Sequence, residues 1–224
     1  AQVLKRLGEV HIPGIEKEVI IVDDGSTDST ESVISNFTPP AGGSNFKKIR
    51  HEKNLGKGAA VRTGIERATG DCILIQDADL EYNPVDIPRL LKPILTKKTK
   101  VVYGTRLKRL PNLSRDERTL RFLLHYFGNR ILSLLTSVLY GQWITDMETG
   151  YKLFPKKALA GIVLRSRSFN FEPEITAKLL KKHYTIVEIP ITTNPRGYDE
   201  GKKLHTFRDG IVAFWTLLKY RFTN

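Results

Sequence analysis

With a single cysteine, Cys72, the chain cannot form an intrachain disulfide, which suits a reducing compartment. Cys72 lies in an apolar stretch and reads as a small core residue rather than a nucleophile. Long uncharged apolar runs are also missing. The longest candidate, Ile131 to Ile144, falls short of the roughly 18 residues that suggest a membrane span. No leader-type segment is visible. The chain begins without Met, partway along an amphipathic stretch (Val3, Leu4, Leu7), and reads as a fragment. Internal repeats, low-complexity tracts, recognised nucleic-acid motifs and the Gly-x4-Gly-Lys-Ser/Thr phosphate loop are all absent. Acids are scarce beside bases: 24 Asp and Glu against 36 Lys and Arg leave a net charge of +12. Such a surface attracts anions, whether nucleic acid, anionic lipid or phosphorylated substrates.

What is present suffices for a globular core. The chain has 224 residues, 40% of them hydrophobic, enough for one large domain or two small ones. Short apolar strands alternate with helical stretches, the pattern of a mostly parallel sheet with helices on both faces. Glu18 to Val22 reads as a central strand covered on both faces. It ends at Asp23-Asp24-Gly25-Ser26-Thr27-Asp28, where Gly25 allows a tight turn and Asp28 or Ser29 can cap a helix reaching Phe37. Phe46 to His51 reads as an edge strand, and Asn54-Leu55-Gly56-Lys57-Gly58 as a Gly-rich helix entry.

The most informative stretch is Ile73-Leu74-Ile75-Gln76-Asp77-Ala78-Asp79-Leu80-Glu81. A buried strand that ends in three carboxylates calls for a compensating charge, because neighbouring carboxylates repel and resist burial. A divalent cation completed by a phosphorylated ligand supplies it; an acidic loop that merely follows a strand is the plain alternative. A helix from Pro84 to Leu95 and a strand from Lys100 to Tyr103 follow, and Arg106 lands at that strand's carboxyl edge. Open α/β sheets bind ligands at such edges.

Beyond Arg106 the composition changes. Leu107 to Arg118 is a basic loop. Thr119 to Tyr140, with Arg121 and Arg130, and Thr206 to Phe222, with Phe214 and Trp215, mix apolar bulk, aromatics and cations, the composition of helices in a membrane interface. Helices that simply cover the sheet share that composition. Asp146 sits in an acid-bearing loop, Glu172 and Glu174 start a helix where acids suit the dipole, and Thr185 to Ile191 is a strand. Arg196 to Lys203 is a basic loop able to close over a phosphate.

Together these motifs resemble inverting family 2 glycosyltransferases of the GT-A fold. The carriers are Val22-Asp23-Asp24-Gly25-Ser26-Thr27-Asp28, the Asn54 to Gly58 helix entry and Asp77-Ala78-Asp79. Gly104-Thr105-Arg106, Asp146 to Lys152 and Arg196-x-Tyr198-x-Glu200-Gly201-Lys202 are similar to the dolichyl- and polyprenyl-phosphate sugar synthases, which include dolichyl-phosphate mannose synthases. The resemblance implies one three-layer α/β/α domain over residues 1–224, with a donor half (1–110) and an acceptor half (111–224). Val22 and Asp24 would line the base pocket, and Asp77, Ala78 and Asp79 would hold the ribose and diphosphate. Asp79 and Glu81 would ligate Mg2+ or Mn2+, with Asp77 a further candidate. Arg106 and Arg121 would meet the acceptor phosphate, Arg196 and Lys202 the donor phosphates, and Arg106 also belongs to the donor set. Asp146 is the candidate general base, although an already ionised phosphate acceptor needs orientation more than deprotonation. The implied reaction moves mannose or glucose from a GDP- or UDP-linked donor to dolichyl or polyprenyl phosphate, on the cytoplasmic face of an anionic membrane. No nucleic-acid partner is expected. The alternatives are a family 2 enzyme with a glycan or soluble acceptor, a nucleotidyltransferase, and a basic nucleotide- or nucleic-acid-binding module. The family's first strand, of the kind Ile-Pro-x-Tyr-Asn-Glu, is expected to precede residue 1.

Overall fold

A computed structural model describes residues 2–39, 45–106, 120–194 and 206–223, and every side chain among them except those of 120, 121, 206 and 207. Strands β1 (Glu18–Asp23), β2 (Asn45–Arg50), β3 (Cys72–Ile75), β4 (Val101–Thr105), β5 (Lys152–Pro155) and β6 (Ile186–Pro190) are set among seven helices. These are α1 (Gln2–Glu9), α2 (Thr30–Ser35), α3 (Lys57–Arg67), α4 (Ile87–Leu95), α5 (Leu120–Tyr140), α6 (Phe171–Lys181) and α7 (Thr206–Phe222).

The main sheet has the order β3-β5-β4-β6. β5 is antiparallel to both neighbours and β4 pairs in parallel with β6, so β3, β4 and β6 run one way and β5 alone is reversed. Alternation along the strands builds two cores. Ile73, Ile75, Val101, Tyr103, Phe154 and Ile186 face α5, α6 and α7, whereas Val102, Tyr151 and Leu153 face Leu90 and Leu91 of α4. The result is a helix–sheet–helix sandwich.

β1 departs from its expected central place. Among the described residues it pairs only with β2, in parallel, and Glu18 to Val22 are only half-buried despite their apolar run. Helix α3 ties it alongside β3. At one end the Thr69 amide donates to Glu18 (2.9 Å); at the other the Gly56 amide donates to Asp24 (2.8 Å) while Lys57 reaches Asp77 at the end of β3. β1 and β3 therefore run the same way under one helix without sharing a ladder. Cys72, expected in the core, is exposed at the start of β3, whose outer edge has no partner strand among the described residues.

Helix α5 is a single continuous helix that buries Leu132 together with several polar side chains and leaves an apolar face outside. Asn129, Ser133, Thr136 and Ser137 are buried, while Leu124, Phe127, Ile131, Leu134 and Val138 are exposed. The buried hydroxyls hold the loop that leads into β5: the Ile144 amide donates to Ser137 Oγ (2.9 Å) and the Met147 amide to Ser133 Oγ (3.0 Å). From the other side, the amides of Thr145 and Asp146 donate to the Glu188 carboxylate of β6. Asp146 is thus placed by four backbone hydrogen bonds to three side chains before its own side chain acts.

Candidate active site

The carboxyl ends of β1, β3 and β4 carry the expected acids and cations, and each is built into a local network. Asp24 follows β1 and accepts hydrogen bonds from His51 Nδ1 (2.7 Å), the Leu55 amide (3.0 Å) and the Gly56 amide (2.8 Å). Burial opposes its ionisation, but these donors outweigh burial and hold the carboxyl below its ordinary range. His51 continues through Nε2 to Thr63 Oγ1 (2.9 Å) on α3. Val22, one turn of strand earlier, lies beneath Gly64 of the same helix.

Glycine is required at the turn Asp24 supports. Gly56 has φ +97°, and a Cβ there would collide with the Arg167 carbonyl. The close approach brings the start of α3 against the 166–168 segment and aims Lys57 at the end of β3.

Lys57 is where two acids converge. Its ammonium lies 2.8 Å from Asp77 Oδ1 and 2.7 Å from Glu172 Oε1 in the first turn of α6. Burial disfavours charge on Lys57, yet Glu172 and Asp77 outweigh it and push its pKa well up. Burial works against Asp77 too, and Lys57 again prevails, holding its carboxyl below the ordinary aspartate range. The other Asp77 oxygen rests on Gly150, where any Cβ would collide with it. The Gly150 amide in turn donates to the Tyr82 hydroxyl (2.8 Å), and Tyr151 donates to Gln76 (2.6 Å). The 149–151 turn and the 76–82 loop therefore support one another. In that loop, Asp79 Oδ1 accepts from the Glu81 amide (3.1 Å), which sets the two carboxylates on one bend.

Arg106, just past β4, is clamped by Asp146. Its Nε and one terminal nitrogen each donate at 2.8 Å to a different carboxylate oxygen, and its own amide adds a third bond at 2.9 Å. The guanidinium lies 6.0 Å from the centre of the Tyr82 ring, which brings it beside the acidic loop. The Asp146 side chain is fully buried and both of its oxygens serve Arg106. Burial opposes its ionisation, and the Arg106 cation outweighs burial to keep the carboxyl below its usual range. Those bonds fix the direction of the Arg106 guanidinium.

Behind these groups is a buried charged layer. Lys152 donates to the carbonyls of Met147 (2.9 Å) and Thr149 and stands over the Tyr103 ring. Burial, then the nearby Glu172, pushes Glu148 toward its neutral form. Among the expected residues, Val22, Asp24, Asp77, Ala78, Asp79, Glu81, Arg106 and Asp146 are described. Arg196, Lys202 and the side chain of Arg121 lie outside the described residues. The chain leading to Arg196 can still be placed at its root: the Asn194 amide donates to the Glu81 carbonyl (2.9 Å), and Thr193 bridges to Tyr82. It leaves from the acidic loop itself.

Lys57 and Glu172 had no assigned role from sequence. A signal for Lys57 does exist, because a lysine as the first residue of a helix opposes the helix dipole and needs anionic partners. Nothing in the sequence pairs it with Glu172, which lies more than a hundred residues further on.

Comparison with known proteins gives this site a family. The family model described as glycosyl transferase family 2 matches residues 1–162. The UDP-N-acetylglucosamine–dolichyl-phosphate N-acetylglucosaminyltransferase of Methanococcus voltae is 30% identical, over 89% of this chain and 83% of that one. Glycosyltransferase AglJ of Haloferax volcanii is 28% identical, over 92% of this chain and 63% of that longer one. In fold, the chain is similar to glucosyl-3-phosphoglycerate synthase from Mycobacterium tuberculosis, solved with Mn2+, UDP and glucosyl-3-phosphoglycerate. The TM-score is 0.65 at 19% identity, covering 93% of this chain and 70% of that one. The acid-bearing strand ends, the Gly-Lys-Gly helix entry and the clamped arginine thus occupy a GT-A fold, and the chain belongs to glycosyl transferase family 2.

Proposed function

We propose that this chain moves a sugar, with inversion, from a nucleoside diphosphate to dolichyl or polyprenyl phosphate at the cytoplasmic face of a membrane. The observation that carries the reading is the meeting of acids and cations at one sheet edge: the Asp79–Glu81 bend runs into Tyr82, whose ring faces Arg106, and Lys57 is held on Asp77. Anionic leaving group and anionic acceptor both need cations there, and electrostatic stabilisation of the departing diphosphate is the largest demand of such a transfer.

The donor set fits a divalent cation, Mg2+ or Mn2+. Among the described residues, no three acids or histidines converge into a ready cage. Asp79 and Glu81 are hard oxygen ligands on one bend, as suits an ion that takes one or two carboxylates and completes its shell with substrate phosphates and water. Asp77 is committed to Lys57 and Gly150, so it anchors the loop and leaves ligation to Asp79 and Glu81. When bound, the cation would neutralise charge on the leaving diphosphate. Val22 and Asp24 shape the base end of the pocket, Asp77 and Ala78 the ribose end. Arg106, fixed by Asp146, meets the acceptor phosphate with Arg121, and Arg196 and Lys202 serve the donor phosphates.

Membrane contact is assigned to the apolar faces of α5 and α7. Leu124, Phe127, Ile131, Leu134 and Val138 line the outer side of α5, and Ile211, Trp215 and Phe222 are exposed on α7. Phe122–Tyr140 is long and apolar enough to cross a membrane by length and composition, but α5 here packs against α6 and α7. A helix that presents a continuous apolar face to the outside suits a lipid interface.

Mannose and glucose are the sugars the resemblance implies; the name of the Methanococcus relative makes UDP-N-acetylglucosamine the first donor to test. Thermal denaturation with UDP-N-acetylglucosamine, UDP-glucose and GDP-mannose, each with and without Mn2+, checks the reading. One donor should stabilise the chain by about 2.7 kcal/mol at a hundredfold excess over its Kd, with Mn2+ present. Stabilisation by none of them overturns it.

A further inference from the structure

Granted the transferase reading above, we propose that Glu172 is a positioning residue for the nucleotide-sugar site, acting on Asp77 through Lys57. Three elements meet at the Lys57 ammonium: the start of α3, the end of β3 and the first turn of α6. As the first residue of α3, Lys57 sits where the helix dipole repels a cation. Its four-carbon stem would be free to follow any anion, so acids and not the helix decide where the ammonium stands.

Asp77 alone cannot fix that position, because it belongs to the loop that needs fixing. Glu172 can. Its side chain is 5% exposed, and it lies in the first turn of a helix packed into the main core, where the dipole favours a carboxylate. Glu172 Oε2 has no hydrogen-bond partner among the described residues, so Lys57 is the one group bonded to this buried carboxylate there. A charge kept at that depth for a single contact points to a function for the contact. The chain of support runs from the core through Glu172 to Lys57, then to Asp77, which is pressed on its far side against Gly150. Two residues beyond Asp77 is Asp79, so a shift of the Asp77 carboxylate moves the bend that faces the donor.

The proposal predicts a result opposite to simple charge effects. Glu172→Gln removes a negative charge near an anion site, and long-range electrostatics alone would tighten nucleotide binding. Loss of the anchor should weaken it. The experiment is isothermal titration of the full chain with UDP and with GDP, each with Mn2+. Wild type should bind one of them, and Glu172→Gln should bind that nucleotide about 10- to 100-fold more weakly, the usual cost of losing an outer-shell support. In a Lys57→Met background, Glu172→Gln should change affinity no further. Equal or tighter binding by a folded Glu172→Gln chain, or an undiminished effect in the Lys57→Met background, overturns the positioning role while the transferase reading stands. Failure of wild type to bind either nucleotide overturns the transferase reading instead, and this role with it. If Glu172→Gln does not fold, Glu172→Asp replaces it: retracting the charge by one methylene should still weaken binding, and full affinity overturns the proposal.

Discussion

Arg106 and Asp146 hold each other through two hydrogen bonds of 2.8 Å, fork to fork, with the Arg106 amide adding a third at 2.9 Å. The pair fixes a cation at the carboxyl end of β4, and bidentate geometry of this kind gives direction as well as energy. Breaking a buried pair strands its partner. Asp146→Ala should therefore lose about 3–5 kcal/mol of stability, read from denaturant midpoints, together with transfer activity. Asp146→Asn, which keeps the shape, should lower kcat without shifting the acid limb of the pH–rate profile. Disappearance of that limb would assign Asp146 the general-base role.

Glu148 gives a pH dependence with a definite sign. Burial and Glu172 raise its pKa above the ordinary glutamate value of about 4.3, and Asp146 adds to the effect, while Lys152 on β5 and Arg106 at the end of β4 oppose it. The folded chain then binds a proton that the unfolded chain has released, so stability should fall as pH rises above that ordinary value. Glu148→Gln should flatten the decline between the ordinary glutamate value and the folded value of about 8 in urea midpoints. Asp24 and Asp77 act in the other direction: their lowered pKa values contribute stability above the ordinary aspartate range that is lost on acidification through their folded values.

Gly56→Ala should cost about 1–3 kcal/mol, since it forces a side chain into a left-handed conformation and against the Arg167 carbonyl. The same change displaces Lys57, so nucleotide affinity should fall along with the melting temperature. An unchanged melting temperature would mean that the α3 entry can relax.

Ile131→Asp together with Trp215→Asp should reduce co-sedimentation with anionic liposomes and leave the melting temperature unchanged, because both side chains are more than 60% exposed. Undiminished binding at low salt would move the membrane contact elsewhere.

Much of this architecture is legible in the residues alone. The strands around Ile20, Leu74 and Val102, and the acids and Arg106 at their ends, follow from apolar runs punctuated by Gly and Asp, because strand, turn and helix entry are local. Long-range pairings are not. Asp146 carries no sign that it faces Arg106, nor Lys57 that it meets Glu172. β1 has the composition of a central strand, but among the described residues it pairs on one edge only, and its apolar residues stay half-buried. The apolar outer face of α5 is equally hidden, since a buried Ser133 and an exposed Ile131 reverse the usual assignment at those positions.

The central claim is that the Asp79–Glu81 bend and the Arg106 cation serve transfer from a nucleotide sugar to a lipid phosphate. The direct measurement gives the chain radiolabelled UDP-N-acetylglucosamine, UDP-glucose or GDP-mannose with dolichyl phosphate and Mn2+, and follows the label by solvent extraction. One donor should carry label into the organic phase, and both chelation by EDTA and a folded Asp79→Ala variant should abolish it. Label that stays in the aqueous phase as sugar on a soluble acceptor, or extraction undiminished in Asp79→Ala, would contradict the account.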